Sequence, residues 1–223
     1  MKKLIIFGEG KIAQAVSYFF NRSDSDYNIC AYIADEAYIQ STEYLGKPLV
    51  TMSEVTSLYP KENYSVFVAV GYQKMNELRE SKFNEFKNLG YQFAQYRSPF
   101  VAGQYALGEN SIVMDGAVVQ PEVTIGHNSF VWGGTMIGHH AKIGNHCWIT
   151  GSCAIGGVVT IDDSCFVGLN ATISNEINIG KKCMLGANSA TGKCLNDESV
   201  VICPDTPIHR LNSTQLSRFS TSF

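Results

Sequence analysis

The sequence predicts two folds in tandem, a small α/β domain on a parallel sheet followed by an all-β prism of short stacked strands. Three observations carry that expectation. From Leu107 to Leu185 an aliphatic residue returns at every sixth position, fourteen times in phase: Leu107, Val113, Val119, Ile125, Val131, Ile137, Ile143, Ile149, Ile155, Ile161, Val167, Ile173, Ile179 and Leu185. Upstream of that stretch, apolar strand-like runs alternate with helical patterns, the signature of a parallel α/β unit. Between the two, the texture of the sequence changes near Pro99.

Taken in order, Lys2 to Phe7 reads as a buried strand, and Gly8-Glu9-Gly10-Lys11-Ile12-Ala13 opens a helix running to about Asn21. Asn28 to Ala34 is a second strand, ending in Asp35-Glu36 some 25 residues after the glycines. That G-x-G-x-x-A turn suits a phosphate at the helix N-terminus, and the acidic pair suits a ribose hydroxyl. The bland alternative is that Gly8 and Gly10 serve only a tight strand-to-helix turn. Pro48-Leu49-Val50 is a short strand, and Thr51 to Glu54 has the form of a capping box opening a short helix. Val66 to Val70 is a further buried strand, ending at Gly71 where a crevice loop would lie. Met75, Leu78, Lys82, Phe86 and Leu89 trace one helix face, with the Lys82 stem snorkelling and Gly90 closing the helix. Tyr91 to Tyr96 makes the last strand. Five strands are too few for a two-half dinucleotide fold, so residues 1–97 are expected to form a small Rossmann-like domain for a mononucleotide-type ligand.

A period of six fits neither a helix nor an ordinary strand, and marks a repeat architecture. Glycine follows the aliphatic residue at eight of the fourteen places, and a small residue mostly sits two positions before it. The aliphatic side chain enters a narrow interior, the small residue fits beside it, and the glycine eases the turn. This pattern resembles the left-handed parallel β-helix of the hexapeptide-repeat acyltransferases, in which three hexads make one triangular coil. The resemblance covers roughly residues 101–203, and the β-helix domain is set at 98–203. Four of the seven cysteines, Cys147, Cys153, Cys165 and Cys183, occupy the small slot, and three of them are eighteen apart and so form a ladder. No CxxC pair suggests redox or metal chemistry. Beyond Leu185 the aliphatic slot passes to Thr191 and then Asp197, Val200 to Ile202 is a last strand, and 204–223 is a polar, partly helical tail.

Hydrophobic content of 45% and charge of 17% describe an ordinary soluble chain. A net charge of −3 leaves no basic footprint for nucleic acid. No apolar run suits a membrane span or a signal sequence, so no membrane partner and a cytoplasmic location are expected.

The chemistry gathers at Met136-Ile137-Gly138-His139-His140-Ala141, the one hexad with two histidines. Side chains just past the glycine corner face outward, so neither is a core histidine. Imidazole takes a proton near neutral pH, and an amine or hydroxyl attacking a thioester carbonyl must lose one. A positioned histidine with a backbone donor for the oxyanion would suffice. His139 is the expected base, with His140 as the alternative and two surface residues as the bland reading. His146 stacks above Asn128, eighteen back, and is given a surface or interface role. His127, His139, His140 and His146 are not spaced to stack coil on coil, so no metal is expected.

The order of domains resembles the bacterial nucleotide-sugar N-acetyltransferases and the sialic acid O-acetyltransferase-like group. In that group the base lies in an Ile-x-His-acidic sequence, matched here by Ile137-Gly138-His139-His140. His140 replaces the acidic residue, so an orienting carboxylate must come from Glu122 or Asp115, or His140 itself supplies a hydrogen bond. The resemblance further implies a homotrimer, acetyl-CoA in the groove between neighbouring β-helices, and a nucleotide-linked amino sugar on the N-terminal domain. Carried over by position, Gly8, Gly10, Lys11, Asp35, Glu36 and Gly71 would hold the nucleotide side, while Gly156, Gly157, Gly186 and Ala187 would line the acetyl-CoA path along one face. The family's closing Gly-x-Pro-Ala-Lys is represented only by Cys203-Pro204-Asp205. The implied activity is acetyl-CoA-dependent N-acetylation of a nucleotide-linked amino sugar. O-acetylation of a sugar such as sialic acid and a non-catalytic β-helix module are the alternatives. A dinucleotide-dependent oxidoreductase would leave the repeat unexplained.

Overall fold

The structure, a computed structural model, describes residues 1–22, 24–101 and 104–218; the end of the expected tail, 219–223, lies outside the described residues. Its N-terminal sheet has six strands: β1 (Lys2–Phe7), β2 (Tyr27–Ala34), β3 (Glu43–Tyr44), β4 (Lys47–Thr51), β5 (Tyr64–Val68) and β6 (Gln92–Phe93). They lie in the order β3-β4-β2-β1-β5-β6, and every neighbouring pair is parallel except the β3–β4 hairpin. The helices are α1 (Lys11–Phe20), α2 (Val55–Leu58) and α3 (Glu77–Leu89). The apolar run of β1 follows from burial on both faces. Leu4 and Ile6 pack with Val16 and Phe20 of α1, whereas Ile5 and Phe7 pack with Val55 of α2 and Phe83 and Phe86 of α3.

Three local expectations change. The Glu54 carboxylate does accept the Thr51 N–H (2.9 Å) and hydroxyl (2.7 Å), but α2 begins only at Val55, with no side-chain cap. On α3 the buried residues are Arg79, Phe83 and Phe86, spaced i, i+4, i+7, and Leu78 is exposed. Tyr96–Arg97 leaves the N-terminal sheet and pairs with Ile112–Val113 in the β-helix.

From Ala106 onward the chain winds a left-handed parallel β-helix of two-residue strands on three faces. One face stacks the strands at 96, 112, 130, 148, 166, 184 and 200, a second those at 118, 136, 154, 172 and 190, and a third those at 106, 124, 142, 160 and 178. Registers such as Phe130↔Trp148 and Ile137↔Ile155 place each residue above the one eighteen back, which is three hexads per coil. The aliphatic residues from Val113 to Leu185 are buried in one interior cluster.

The small slot has a second requirement beyond size. Ser111 Oγ donates to Gly126 O (2.7 Å), Ser129 Oγ to Gly144 O (2.8 Å) and Thr135 Oγ1 to Thr150 O (2.8 Å). Cys147 Sγ donates likewise to Asp162 O (3.2 Å) and Cys165 Sγ to Gly180 O (3.0 Å). Serine, threonine and cysteine share the slot because each is small and carries one donor for a corner carbonyl. Burial pushes the Cys153 and Cys183 thiols up, and the hydrogen bond with Cys147 together with burial does the same to Cys165, all away from the reactive thiolate.

The glycines act differently from expectation. The left-handed backbone at each corner, from Asn110 to Asn188, belongs to the residue three past the aliphatic position, and only Gly116 and Gly134 supply it with glycine. Glycine one past the aliphatic instead permits close stacking: a Cβ on Gly138 would lie 2.4 Å from Gly157 N. Past Thr191 the coil loses two residues. Leu195, not Asp197, pairs above Ile179, and Val201 above Leu185, because the turn at Gly192–Cys194 is short and folds onto Thr191 Oγ1. The tail carries a short helix, Ser213–Ser217, with a capping box of Asn212 and Gln215.

The N-terminal domain docks on the first of the three faces. Its outward residues Ile112, Phe130 and Trp148 are buried in one cluster with Leu4, Phe20, Phe67 and Tyr96. Tyr72 lies over Trp148 and Phe166 (centroids 5.6 and 4.7 Å). The Asn110 side chain bonds both backbone groups of Val68, taking its N–H (2.7 Å) and donating to its carbonyl (3.3 Å). Arg79, fully buried without a carboxylate, donates to the carbonyls of Gly71, Asn128, His146 and Cys147 and to Asn76 Oδ1. Its guanidinium sits 5.0 Å from the Phe130 ring and 5.1 Å from that of Trp148, where the π-faces offset part of the cost of burying the charge.

Candidate active site

Gly8, Gly10, Lys11, Asp35 and Gly71 line a single cavity of about 600 Å³ at the C-terminal ends of β1, β2 and β5. Gly8 has φ +128, and a Cβ there would meet Ala69 O at 2.8 Å, so no other residue fits without strain. Gly10 caps α1 with no side chain of its own, which leaves the first helical N–H groups to a ligand. Lys82 forms an ion pair with Asp35 and another with Glu85 (3.0 Å), and its ammonium lies 5.1 Å from the Phe7 ring. Glu36 is not brought to this cavity. It faces the neighbouring depression with Met52, Ser53 and Thr56, where its own backbone N–H, then the Ser53 hydroxyl and N–H (3.2 Å), hold its carboxyl below the usual range.

His139 and His140 stand exposed on the corner between the second and third faces of the prism. The His139 N–H donates to Gln120 Oε1 (2.8 Å) and the His140 N–H to Pro121 O (3.1 Å). The two Nδ1 atoms approach to 3.2 Å with the ring planes at 86°. Gly157, one coil above, leaves room for the His139 ring: a Cβ there would fall 2.8 Å from Nε2. Gly156 lies beside it, under Asn175, so this pair and His139 form one local surface. Gly186 and Ala187 do not join them. They lie 30 residues beyond Gly156 and Gly157, or five hexads, and five is not a multiple of three, so they fall on another corner. Neither proposed carboxylate orients His139. Asp115 is held by Arg22 (2.6 Å) and by the Tyr96 hydroxyl (2.9 Å) on a different corner, and Glu122 makes no hydrogen bond to either imidazole among the described residues.

Within one chain the cavity and the histidine pair are separated by the prism. Every contact named above from the N-terminal domain reaches the docked face or one of its two corners, and the His139 corner is opposite that face. His146, by contrast, is at the interface. Its Nδ1 meets Asn128 Nδ2 at 2.8 Å, its Nε2 is 3.7 Å from Glu80, and burial lowers its pKa. Sequence reasoning missed Arg79 and Asn76, whose side chain donates to Ser164 O (3.2 Å). The i, i+4, i+7 spacing of Arg79, Phe83 and Phe86 was the available signal. Among the described residues no cluster of three His, Cys, Asp or Glu side chains could hold a metal ion. None of the described helices is long and apolar enough to cross a membrane.

Residues 107–139 match the family described as bacterial transferase hexapeptide (six repeats), and residues 158–193 and 176–201 match the hexapeptide repeat of succinyl-transferase. No curated protein sequence matches the chain. Among solved structures, PerB from Caulobacter crescentus, in complex with CoA and GDP-perosamine, is similar at a TM-score of 0.79 and 22% identity, over 90% of this chain and 93% of that one. The acetyltransferase domain of PglB from Neisseria gonorrhoeae gives a TM-score of 0.79 at 19% identity, over 90% and 96% of the two chains. WeeI from Acinetobacter baumannii gives 0.75 at 18%, with the same coverage of 90% and 96%. The fold is therefore that of a left-handed β-helix hexapeptide-repeat protein with a Rossmann-like N-terminal domain, and the likeness spans both domains.

Proposed function

We propose that the protein is an acyltransferase that moves the acetyl group of acetyl-CoA to the amine of a nucleotide-linked amino sugar. The observation that carries the reading is one chain holding a phosphate-type cavity and an exposed histidine pair on opposite sides of a prism. The similar structures add support: PerB is described with CoA and a nucleotide-linked sugar, and the PglB domain with acetyl coenzyme A. In this reading α1 and Lys11 receive the diphosphate and Asp35 the ribose. His139 takes the proton that the sugar amine loses as its nitrogen attacks the thioester carbon. The C–S bond then breaks, and the proton passes to the departing thiolate.

Because the two half-sites do not meet within a chain, the working unit in this reading is a closed ring of copies, for which the family resemblance implies a homotrimer, with one copy's sugar nucleotide offered to the next copy's His139. Release of free CoA from acetyl-CoA in the presence of nucleoside-diphosphate amino sugars tests the activity. Absence of release across UDP-, dTDP- and GDP-linked amines would overturn it, and release only with a free sugar would favour O- or N-acetylation without the nucleotide. A mixing experiment tests the shared site. Gly10→Asp puts a carboxylate where the phosphate binds while keeping a good helix cap, and His139→Asn removes the base. Each variant alone is expected to be inactive, and a co-refolded equal mixture to regain about one quarter of wild-type turnover. No recovery would place the whole site in one chain.

A further inference from the structure

The two rings at the bare corner meet through like atoms, Nδ1 to Nδ1 at 3.2 Å. A neutral imidazole carries one ring proton, so this hydrogen bond requires one ring protonated at Nδ1 and the other at Nε2. Two arrangements satisfy the contact, and they are not equivalent for His139. If His140 donates, His139 Nε2 already bears a proton and has no lone pair to offer. If His139 donates, its Nε2 is free.

In the second arrangement the Nε2 lone pair lies in open surroundings. Gly157 flanks it, and the one donor of that residue is spent: its N–H donates to Asn175 Oδ1 (2.8 Å). That backbone therefore offers no donor to the His139 Nε2 lone pair, and because the ring is exposed the lone pair stays open to an incoming proton. Among the described residues neither ring hydrogen-bonds a carboxylate, so no charge competes for Nδ1.

We propose that His140 is a positioning residue: its neutral Nδ1 accepts the His139 Nδ1–H and holds His139 in the tautomer whose Nε2 can act as a base. The kinetic consequence rests on the acetyltransferase reading, and the tautomer does not. An uncharged acceptor fixes the ring as a carboxylate would, but stabilises the imidazolium less. The corner backbone limits the replacements that test this. His140 has φ 60, and asparagine holds the same left-handed slot at Asn110, Asn128, Asn170 and Asn188, as valine does at Val158. Asparagine also places Oδ1, bonded to Cγ, where histidine places Nδ1.

Nitrogen NMR of the ring atoms, at a pH where both rings are neutral, reads the tautomer directly. The wild type is expected to carry its His139 proton on Nδ1 and its His140 proton on Nε2. His140→Asn keeps the His139 signature, and His140→Phe loses it. In acetyl transfer, His140→Phe lowers kcat about tenfold or more with both KM values within about twofold. His140→Asn stays within about threefold of wild type, and His140→Asp raises kcat. A wild-type His139 with its proton on Nε2 overturns the inference, as does His140→Phe with unchanged kcat. If no acceptor is acetylated by any of these proteins, the functional reading fails and the NMR still decides the tautomer.

Discussion

Two corners of one prism carry histidines in the same two slots, with opposite fates. His127 and His139 stand two places past an aliphatic residue, and His146 and His140 stand three past, with left-handed φ of 59 and 60. At the docked corner α3 covers the site. The His146 ring is bonded to Asn128 one coil below and faces Glu80, and its backbone carbonyl accepts from Arg79, so the residue is built into the seam between the two domains. At the opposite corner, among the described residues, no element of the N-terminal domain covers His139 and His140, and the rings bond to each other. The repeat supplies the slot, and what packs outside it decides whether an imidazole holds structure or is left for chemistry.

If that contrast is right, the bare corner governs turnover and the covered corner governs stability. His139→Asn should lower kcat by about 10²- to 10⁴-fold, roughly 3–5 kcal/mol of barrier, without moving the unfolding midpoint. A matching loss of stability in urea denaturation would break the contrast. Arg79→Met should destabilise by about 3 kcal/mol or more, because several buried carbonyls lose their donor. It should also weaken nucleotide affinity, because the Gly71 carbonyl that Arg79 holds borders the cavity. Gly157→Ala should leave the fold intact, since the three nearest atoms all belong to a ring able to swing aside, and lower kcat about tenfold by displacing Nε2.

The smallest effect is a pH slope. His146 has its pKa lowered from 6.5 by burial, with Arg79 and His127 adding to the lowering and Glu80 and Asp163 opposing it. The unfolded chain therefore takes up a proton at higher pH than the folded one. The stability contributed is full above about pH 6.5 and is lost as pH falls toward the depressed folded value. His146→Asn should flatten that slope, by no more than about 1 kcal/mol, in denaturation curves run between pH 5 and 8. An unchanged slope would assign it to other groups.

The scaffold was legible because burial repeats: an aliphatic residue that must enter a narrow interior every sixth position leaves no other solution. Gly8, Gly10, Asp35 and Gly71 were legible as the rim of one cavity for a similar reason, since β-strand ends in a parallel sheet converge. The docked face was equally written and went unread. The residue before each aliphatic is Ile112, Phe130, Trp148, Phe166 and Met184 on that face, but Thr124, Lys142, Thr160 and Asn178 on the third. What was not legible depended on partners distant in sequence. The spacing of Arg79 with Phe83 and Phe86 could mark it as buried, but its role depends on the carbonyls of Asn128 and His146, 49 and 67 positions away. The placement of Leu195 hung on a two-residue contraction that no periodicity announces.

The left-handed corners have a consequence for how such a protein can change. Each costs on the order of 1 kcal/mol for a residue with a Cβ, and from Asn128 to Asn188 each is held by a bond from its N–H to the coil below, as in His140 N–H to Pro121 O and Val158 N–H to His139 O. That bond uses only backbone. Asparagine, glutamate, serine, valine, lysine and histidine all occupy the slot in this chain. The corner row is thus a rail on which side chains can be exchanged by single mutations while the coil beneath stays wound, so a lineage can revise its chemistry there without reopening the question of its fold.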